Sequence, residues 1–144
     1  MTTPYHHTQR GTLMLAVLLI SACVIAAIAY HEPHAPERWS LAALAAGFVI
    51  LAWLFSSLTV GVGEGELRWY FGPGMWRYRI ALDEIEDVRV MRNHWWQGFG
   101  IRMRPGFRLY NVSGLDAVEL RLKSGDIRRV GSDDAQQLAS ALKS

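Results

Sequence analysis

Cysteine is almost absent from this chain of 144 residues, which contains only Cys23. A single thiol excludes a disulfide framework within the chain and a metal site built from several cysteines. Net charge is also small, since the formal charge is +2 overall and residues 61–144 carry 13 Lys/Arg against 11 Asp/Glu. This balance gives no support to a polyanionic partner, so we do not expect nucleic acid binding.

Residues for catalysis are scarce as well. From residue 61 onward the only histidine is His94, whereas a nucleophile–base pair needs a histidine beside a serine or cysteine. Acidic residues are clustered in the stretch 83–87, but alternate residues of a strand point to opposite faces, and a solvated acidic edge explains them. We therefore expect a protein that is not an enzyme and that holds no cofactor.

One loop invites a metal interpretation. His31 and His34 stand three residues apart, and Glu37 follows. Zinc sites need three or four converging ligands, and short solvated loops often have this composition. We expect no metal site here.

Charge is missing altogether from two long stretches near the N-terminus. Trp39–Val60 holds 22 uncharged residues, which form a helix of about 33 Å at about 1.5 Å per residue. That length spans the hydrocarbon core of a bilayer, which is about 30 Å thick. Thr12–Tyr30 gives 19 more uncharged residues. The eight residues 31–38 that link the stretches are few enough to force antiparallel helices. We expect a loose tail over 1–11 and a transmembrane hairpin over 12–60, with helices at 12–30 and 39–60.

The first stretch has a second interpretation, as a signal peptide. Arg10 precedes the apolar run and Ala27-Ile28-Ala29 resembles a cleavage site, although the run is long for a signal-peptide core. In either case the second stretch emerges on the same side of the membrane.

Basic residues predict the orientation of the hairpin. Arg38 in the link is offset by acidic neighbours, while Arg68, Arg77 and Arg79 follow the second stretch closely. The positive-inside rule then places both termini in the cytoplasm. We expect an integral membrane protein.

From Leu58 onward the hydrophobic period changes from that of a helix to two, which predicts strands. About eight short antiparallel strands with tight turns are typical of a small sandwich or barrel. A final helix follows, with Ser132 as its N-cap and an apolar stripe at i, i+3, i+4 and i+7 over 135–142. Beyond the strand that starts at Leu58, the predicted strands cover Glu66–Phe71, Met75–Leu82, Ile85–Met91, Phe99–Arg104, Phe107–Val112, Ala117–Leu122 and Ile127–Val130.

Three segments carry a resemblance to a known family: Arg92–Gly98 with Gly100–Arg102, then Leu109–Gly114, then Arg129–Asp134. With them, the chain resembles the small bacterial membrane proteins in which a transmembrane hairpin precedes a PH-like (pleckstrin-homology-like) domain. The resemblance implies a mainly-β barrel or sandwich of seven or eight antiparallel strands over 61–144, capped by the C-terminal helix. It implies an integral protein of a bacterial inner (cytoplasmic) membrane that acts as a membrane-held binding or assembly module, and it supplies no ligand residues.

Acidic residues are missing between Val88 and Leu115, where five arginines interleave with aromatic residues. Basic residues close to an anionic leaflet contribute about 1 kcal/mol each, and tryptophan favours the headgroup zone. One hypothesis is a face for a protein partner or a second copy, and the alternative is a face for anionic lipid headgroups. A structural explanation is solvated arginines beside tryptophans that pack a loop or the core. The candidate face comprises Arg92, Trp95, Trp96, Arg102, Arg104 and Arg108.

Overall fold

Two long apolar helices, α1 (Thr12–His31) and α2 (Ala35–Leu54), pack as a hairpin in the computed structural model, which describes residues 4–97 and 100–144. Both helices are long and apolar enough to cross a membrane, as the sequence predicts. Only 11% of the most apolar window of each is buried, so their apolar side chains mostly face outward. The buried positions are all alanines, which let the two backbones approach closely: Ala22, Ala29, Ala45 and Ala52.

The second helix does not have the predicted bounds of 39–60. It begins at Ala35, where a proline in the first turn fits because that position needs no hydrogen-bonded N–H. It ends at Leu54, and β2 (Ser57–Gly63) follows almost at once. The predicted helix and the predicted strand overlapped at Leu58 and Val60. Both residues belong to the strand, β2, and are buried in the domain core.

The predicted loose tail over 1–11 is wrong for residues 5–10. Tyr5–Arg10 forms β1, which pairs antiparallel with β2 over its whole length. Tyr5 also donates a hydrogen bond to Asp134 Oδ2 at 3.4 Å, and His7 Nε2 lies 2.5 Å from Asp133 Oδ1. The helical hairpin is therefore inserted between two adjacent strands of one sheet, and the β domain begins before the hairpin and not at residue 61.

The described residues form nine strands in two sheets that do not close into a barrel. All eight predicted strands are present, with described bounds that lie within one residue of the expected ones, and β1 is the ninth. Sheet A has the order β1-β2-β3-β4, and sheet B has the order β5-β8-β9-β7-β6. The remaining elements are β3 (Glu66–Phe71), β4 (Met75–Ala81), β5 (Ile85–Arg92), β6 (Gly100–Arg104), β7 (Phe107–Asn111), β8 (Asp116–Leu122), β9 (Ile127–Gly131) and α3 (Ala135–Lys143).

The expectation of an entirely antiparallel fold is wrong at one pair, because β7 and β9 run parallel. The β8–β9 hairpin causes this: β9 turns back from β8 and occupies the position between β8 and β7. Period-two patterning places residues on faces but is indifferent to which strand lies beside which.

The core lies between the two sheets and is closed by α3. Trp69 of sheet A meets Tyr110 of sheet B edge to face, with ring centroids 5.1 Å apart. The predicted stripe of α3 packs against β5, β8 and β2, and its Leu138 is fully buried. The helix begins at Ala135 with Asp134 as N-cap, so the predicted cap, Ser132, lies two residues too early; its Oγ accepts a hydrogen bond from the Asp134 N–H at 3.1 Å.

Candidate functional site

Among the described residues of the β domain, two neighbouring tryptophans are the most exposed aromatic side chains. They lie in the segment Arg92–Gln97, called the aromatic loop below, where Trp95 is 77% and Trp96 63% exposed. His94 stacks on Trp96 with ring centroids 4.2 Å apart, and Trp95 meets Trp96 edge to face at 6.0 Å. Neither tryptophan fills the core; their ring contacts are with each other and with His94, within the loop itself.

Hydrogen bonds hold the base of the aromatic loop in one conformation. The Asn93 N–H donates to the Leu115 carbonyl at 2.6 Å, and the Gln97 N–H donates to the His94 carbonyl at 3.0 Å. The Gln97 side chain returns to accept from the His94 N–H at 2.9 Å. Because its backbone groups are paired in this way, the loop presents its rings from a defined turn.

Arg129 of β9 fastens this loop to sheet B. Its Nη1 donates to Asn93 Oδ1 at 3.0 Å and to Gln97 Oε1 at 3.4 Å, while its Nη2 donates to Glu119 Oε2 at 2.5 Å. The guanidinium also lies 5.0 Å from the centroid of the Phe107 ring. Its five donors and flat shape suit one guanidinium to all of these partners at once.

Strand register explains why Arg129 is buried on a face that points away from the core. Arg129 lies opposite Leu109 on one side and Glu119 on the other, so the three side chains share the outer face of sheet B. Leu109 is nevertheless only 1% exposed. The aromatic loop, bonded to Arg129, lies over this part of the outer face.

The structure divides the predicted basic and aromatic face. Arg102 and Arg104 are both exposed and lie opposite Leu109 and Phe107, on the outer face that the aromatic loop covers. Arg108 lies two residues before the buried Tyr110 and shares its face, so it points to the other side of the sheet.

The electrostatics of Tyr78 agree with that position of Arg108. Burial raises the pKa of Tyr78, and the nearby Tyr110 raises it further. The charge of Arg108 acts in the opposite direction and lowers the pKa. Since Tyr78 belongs to sheet A, Arg108 faces the other sheet and is not part of the face that Arg102 and Arg104 share.

Arg92 remains with the aromatic loop as its first residue. It ends β5 and lies opposite Asp116 of β8. Gly98, the last residue of the predicted loop, and Phe99, the first residue of the predicted strand Phe99–Arg104, lie outside the described residues.

The aromatic loop lies on the same edge of the domain as the start of the helical hairpin. Leu115, which accepts the Asn93 hydrogen bond, closes a turn whose Ser113 carbonyl accepts from Gln9 Nε2 at 2.5 Å. Just beyond the loop, a Cβ placed on Gly100 would lie 3.5 Å from Met14 Cε in the first turn of α1. The two ends of the aromatic loop are therefore close to the point where the hairpin meets the domain.

Sequence reasoning missed Arg129 as the residue that orders this loop. Its signal in the sequence is faint, because an arginine beside another arginine in a short strand is typical of a solvated face. Only its pairing with Glu119, ten residues earlier, and with Asn93, 36 residues earlier, reveals the role.

Two histidines, His7 and His34, each contact one carboxylate group. His34 Nδ1 lies 3.0 Å from Glu32 Oε1, a contact of two side chains within one short loop. Across residues 4–97 and 100–144, no three His, Cys, Asp or Glu side chains are grouped so that they could hold a metal ion.

The comparisons with known proteins give no match: no protein-family model matches the chain, and no curated protein matches it either.

Proposed function

We propose that this protein is a membrane-anchored, non-enzymatic interaction module that binds a protein partner, or a second copy of itself, through the aromatic loop. The helical hairpin crosses a bacterial inner membrane, and both termini are cytoplasmic. The outward-facing apolar surface of α1 and α2 supports the membrane anchor. Two packed sheets followed by one helix support a PH-like relationship.

The observation that carries the proposal is the exposure of Trp95 and Trp96 on a hydrogen-bonded base. Tryptophan is enriched among the residues that dominate protein interfaces, as is arginine. Binding through a loop that is already ordered avoids much of the entropy that ordering would cost. Arg102 and Arg104 lie on the same side of sheet B and supply charge around the aromatic centre.

Unpaired strand edges offer a second surface for self-association. In the described sheets, β1 and β4 are the edges of sheet A, and β5 and β6 are the edges of sheet B. Such edges carry free backbone donors and acceptors that pair with strands of another chain. Arg102 and Arg104 belong to the β6 edge, so one contact could engage the strand edge and the aromatic loop together.

Mass measurement after gentle detergent extraction from the native membrane tests the proposal. The wild-type chain should run with a companion or as an oligomer, well above its own 16.2 kDa. The double variant Trp95→Ala with Trp96→Ala should run as a monomer. Trp39→Ala is the matched control, since Trp39 is 69% exposed but lies at the far end of the hairpin. A monomeric wild-type chain contradicts the proposal.

Binding of anionic lipid headgroups is the second candidate, and the position of the loop beside the start of α1 favours it. Indole rings prefer the headgroup zone, and arginines near an anionic surface add attraction. Full-length protein in nanodiscs of anionic or zwitterionic lipid distinguishes the candidates. Stronger quenching of Trp95 and Trp96 by brominated anionic lipid supports the lipid candidate, whereas equal quenching in both discs contradicts it.

Full-length protein is required in these experiments because residues 61–144 lack part of the domain. They omit β1 and begin inside β2, whose Leu58 and Val60 are buried in the core. A fragment cut at residue 61 would leave β3 with only the last three residues of β2 on that side of the sheet.

Orientation has its own test. A Cys23→Ala chain carrying Ser124→Cys places one thiol in the exposed turn between β8 and β9. A thiol reagent that cannot cross membranes should leave it unlabelled in intact cells and label it after lysis. Labelling of intact cells would contradict the cytoplasmic placement of the domain.

A further inference from the structure

A basic cleft of about 710 Å³ opens beside β3 and β4 of sheet A, away from the aromatic loop. Its lining includes three arginines and two tyrosines, with no acidic residue among the lining side chains: Arg68, Trp69, Tyr70, Pro73, Gly74, Arg77, Tyr78 and Arg79. The sequence identified these arginines only as markers of membrane orientation. The strand register brings them together.

Arg68 and Arg79 lie directly opposite each other on adjacent antiparallel strands. Like charges in that position repel and disfavour the sheet. Arg68 is partly neutralised, since it donates to Glu66 at 2.8 Å and to Glu64 at 3.1 Å. Arg79 has no carboxylate partner in the described part of the chain, so its charge remains available.

A β-bulge adds the third arginine. Trp69 pairs with Tyr78 and Phe71 pairs with Met75, which leaves two residues of β4 opposite the single residue Tyr70. Bulges redirect side chains and are common beside functional sites. Here Arg77 lies over the Tyr70 ring, with Cζ 5.9 Å from the centroid.

The neighbouring bulge residue, Trp76, has a φ of +47°, which is unusual for a bulky side chain. Its ring stacks on Phe55, with centroids 5.3 Å apart, directly after the end of α2. The same bulge therefore ties β4 to the hairpin and directs Arg77 to the cleft. Arg77 Nε is held by the Gly74 carbonyl at 2.9 Å, which leaves its other guanidinium donors for a ligand.

We infer that this cleft binds a phosphate group, held between Arg77 and Arg79 with Arg68 at its side. Planar guanidinium groups match the oxygens of a phosphate with two parallel hydrogen bonds each. The negative charge of a phosphate group beside Arg68 and Arg79 also reduces the repulsion that their register creates. The inference concerns a different surface and a different ligand from those of the aromatic loop.

The phosphate has two sources, a phospholipid headgroup or a free phosphate compound. The turn at one end of the cleft lies against the end of α2, because a Cβ on Gly72 would lie 2.9 Å from the Trp53 carbonyl oxygen. The Gly72 N–H also donates to the Ser57 carbonyl at 2.9 Å, at the start of β2. If α2 spans a bilayer, as proposed above, the cleft opens near headgroup phosphates.

Isothermal titration of the full-length chain in zwitterionic micelles with inorganic phosphate tests the inference. Wild-type protein should bind phosphate, and Arg77→Gln with Arg79→Gln should weaken binding about tenfold or more. Arg89→Gln with Arg121→Gln is the control, because it removes two exposed arginines of sheet B that lie outside both proposed binding surfaces and keeps the same net charge change. Its phosphate affinity should remain that of the wild type.

Absence of phosphate binding by the wild type overturns the inference, and so does an equal loss in both double variants. Nanodiscs then separate the sources. Phosphatidylglycerol should reduce the apparent affinity for phosphate relative to phosphatidylcholine if the headgroup occupies the cleft, and the affinity should be equal in both if the ligand is a free phosphate compound. Trp95→Ala with Trp96→Ala should leave phosphate binding unchanged, so this experiment is separate from that of the proposed function.

Discussion

The carboxylate of Glu119 accepts two hydrogen bonds from the guanidinium of Arg129 on the adjacent strand, at 2.5 and 3.2 Å. The side chains are only 11% exposed for Arg129 and 21% for Glu119. Arg129 also donates a hydrogen bond to the side chain of Asn93. The arginine of this ion pair therefore holds the aromatic loop against sheet B. A mostly buried charge of this kind is stabilising only while its partners remain in place.

Arg129→Met should destabilise the fold by about 3 kcal/mol, because it leaves the Glu119 carboxylate without its partner. It should also free the aromatic loop. Thermal unfolding of the micelle-bound chain measures the first effect, and faster hydrogen exchange at the Gln97 amide measures the second. Arg129→Met with Glu119→Leu should recover part of the stability. Arg121→Met, an exposed neighbour, should change stability by about 0.5 kcal/mol at most.

Trp95→Ala and Trp96→Ala should each change the free energy of unfolding by about 0.5 kcal/mol or less, since neither ring is buried. Trp69→Ala should cost about 3–5 kcal/mol, because that ring is 1% exposed and packs between the sheets. Unfolding midpoints of the three variants provide the comparison. A large loss at position 95 or 96 would mean that the ring supports the fold and is not free for a partner.

Stability should fall in alkaline solution because of Tyr5. Burial raises the pKa of Tyr5 from 10.0 to about 12; a hydrogen bond with Ser132 lowers it, and the Asp134 carboxylate raises it. The folded state therefore holds the phenol proton more tightly than the unfolded state does. The stability that Tyr5 contributes is complete below pH 10 and is lost as the pH rises through about 12.

Tyr5→Phe should remove this part of the alkaline loss. Unfolding free energies of the wild type and the variant, measured from pH 8 to 12, should converge at the alkaline end. Tyr30→Phe, at the far end of α1 and 83% exposed, is the control and should follow the wild type. Parallel pH profiles for wild type and Tyr5→Phe would contradict the prediction.

Gly72→Ala should destabilise the protein by more than about 1 kcal/mol. Gly72 has a φ of +49°, and a Cβ there would lie 2.9 Å from the carbonyl oxygen of Trp53, so the turn must move away from α2. Gly63→Ala is the matched change in open space, with nothing within 4 Å of the new Cβ. It should leave stability unchanged or raise it by up to about 1 kcal/mol. The denaturant midpoints of the two variants, compared with that of the wild type, test this prediction.

The sequence alone determined the two apolar helices, the mainly-β character of the rest and the amphipathic C-terminal helix. These features follow from local periodicity and from long runs without charge, and both patterns depend only on residues that are close together in the sequence. The sequence pattern extended the predicted second helix too far, because Leu58 and Val60 are apolar enough for a membrane helix. Only their burial in the domain core shows that they belong to β2.

Only the tertiary structure decided which segments lie beside one another. Tyr5–Arg10 contains few hydrophobic residues, and its sequence does not predict a strand. It forms one because the edge of β2 is free to pair with it. The tertiary structure also buried Arg129 beneath the aromatic loop, and it set Arg68 opposite Arg79. Strand order and register depend on contacts between residues that are distant in sequence. The local pattern of residues therefore does not predict which strands pair.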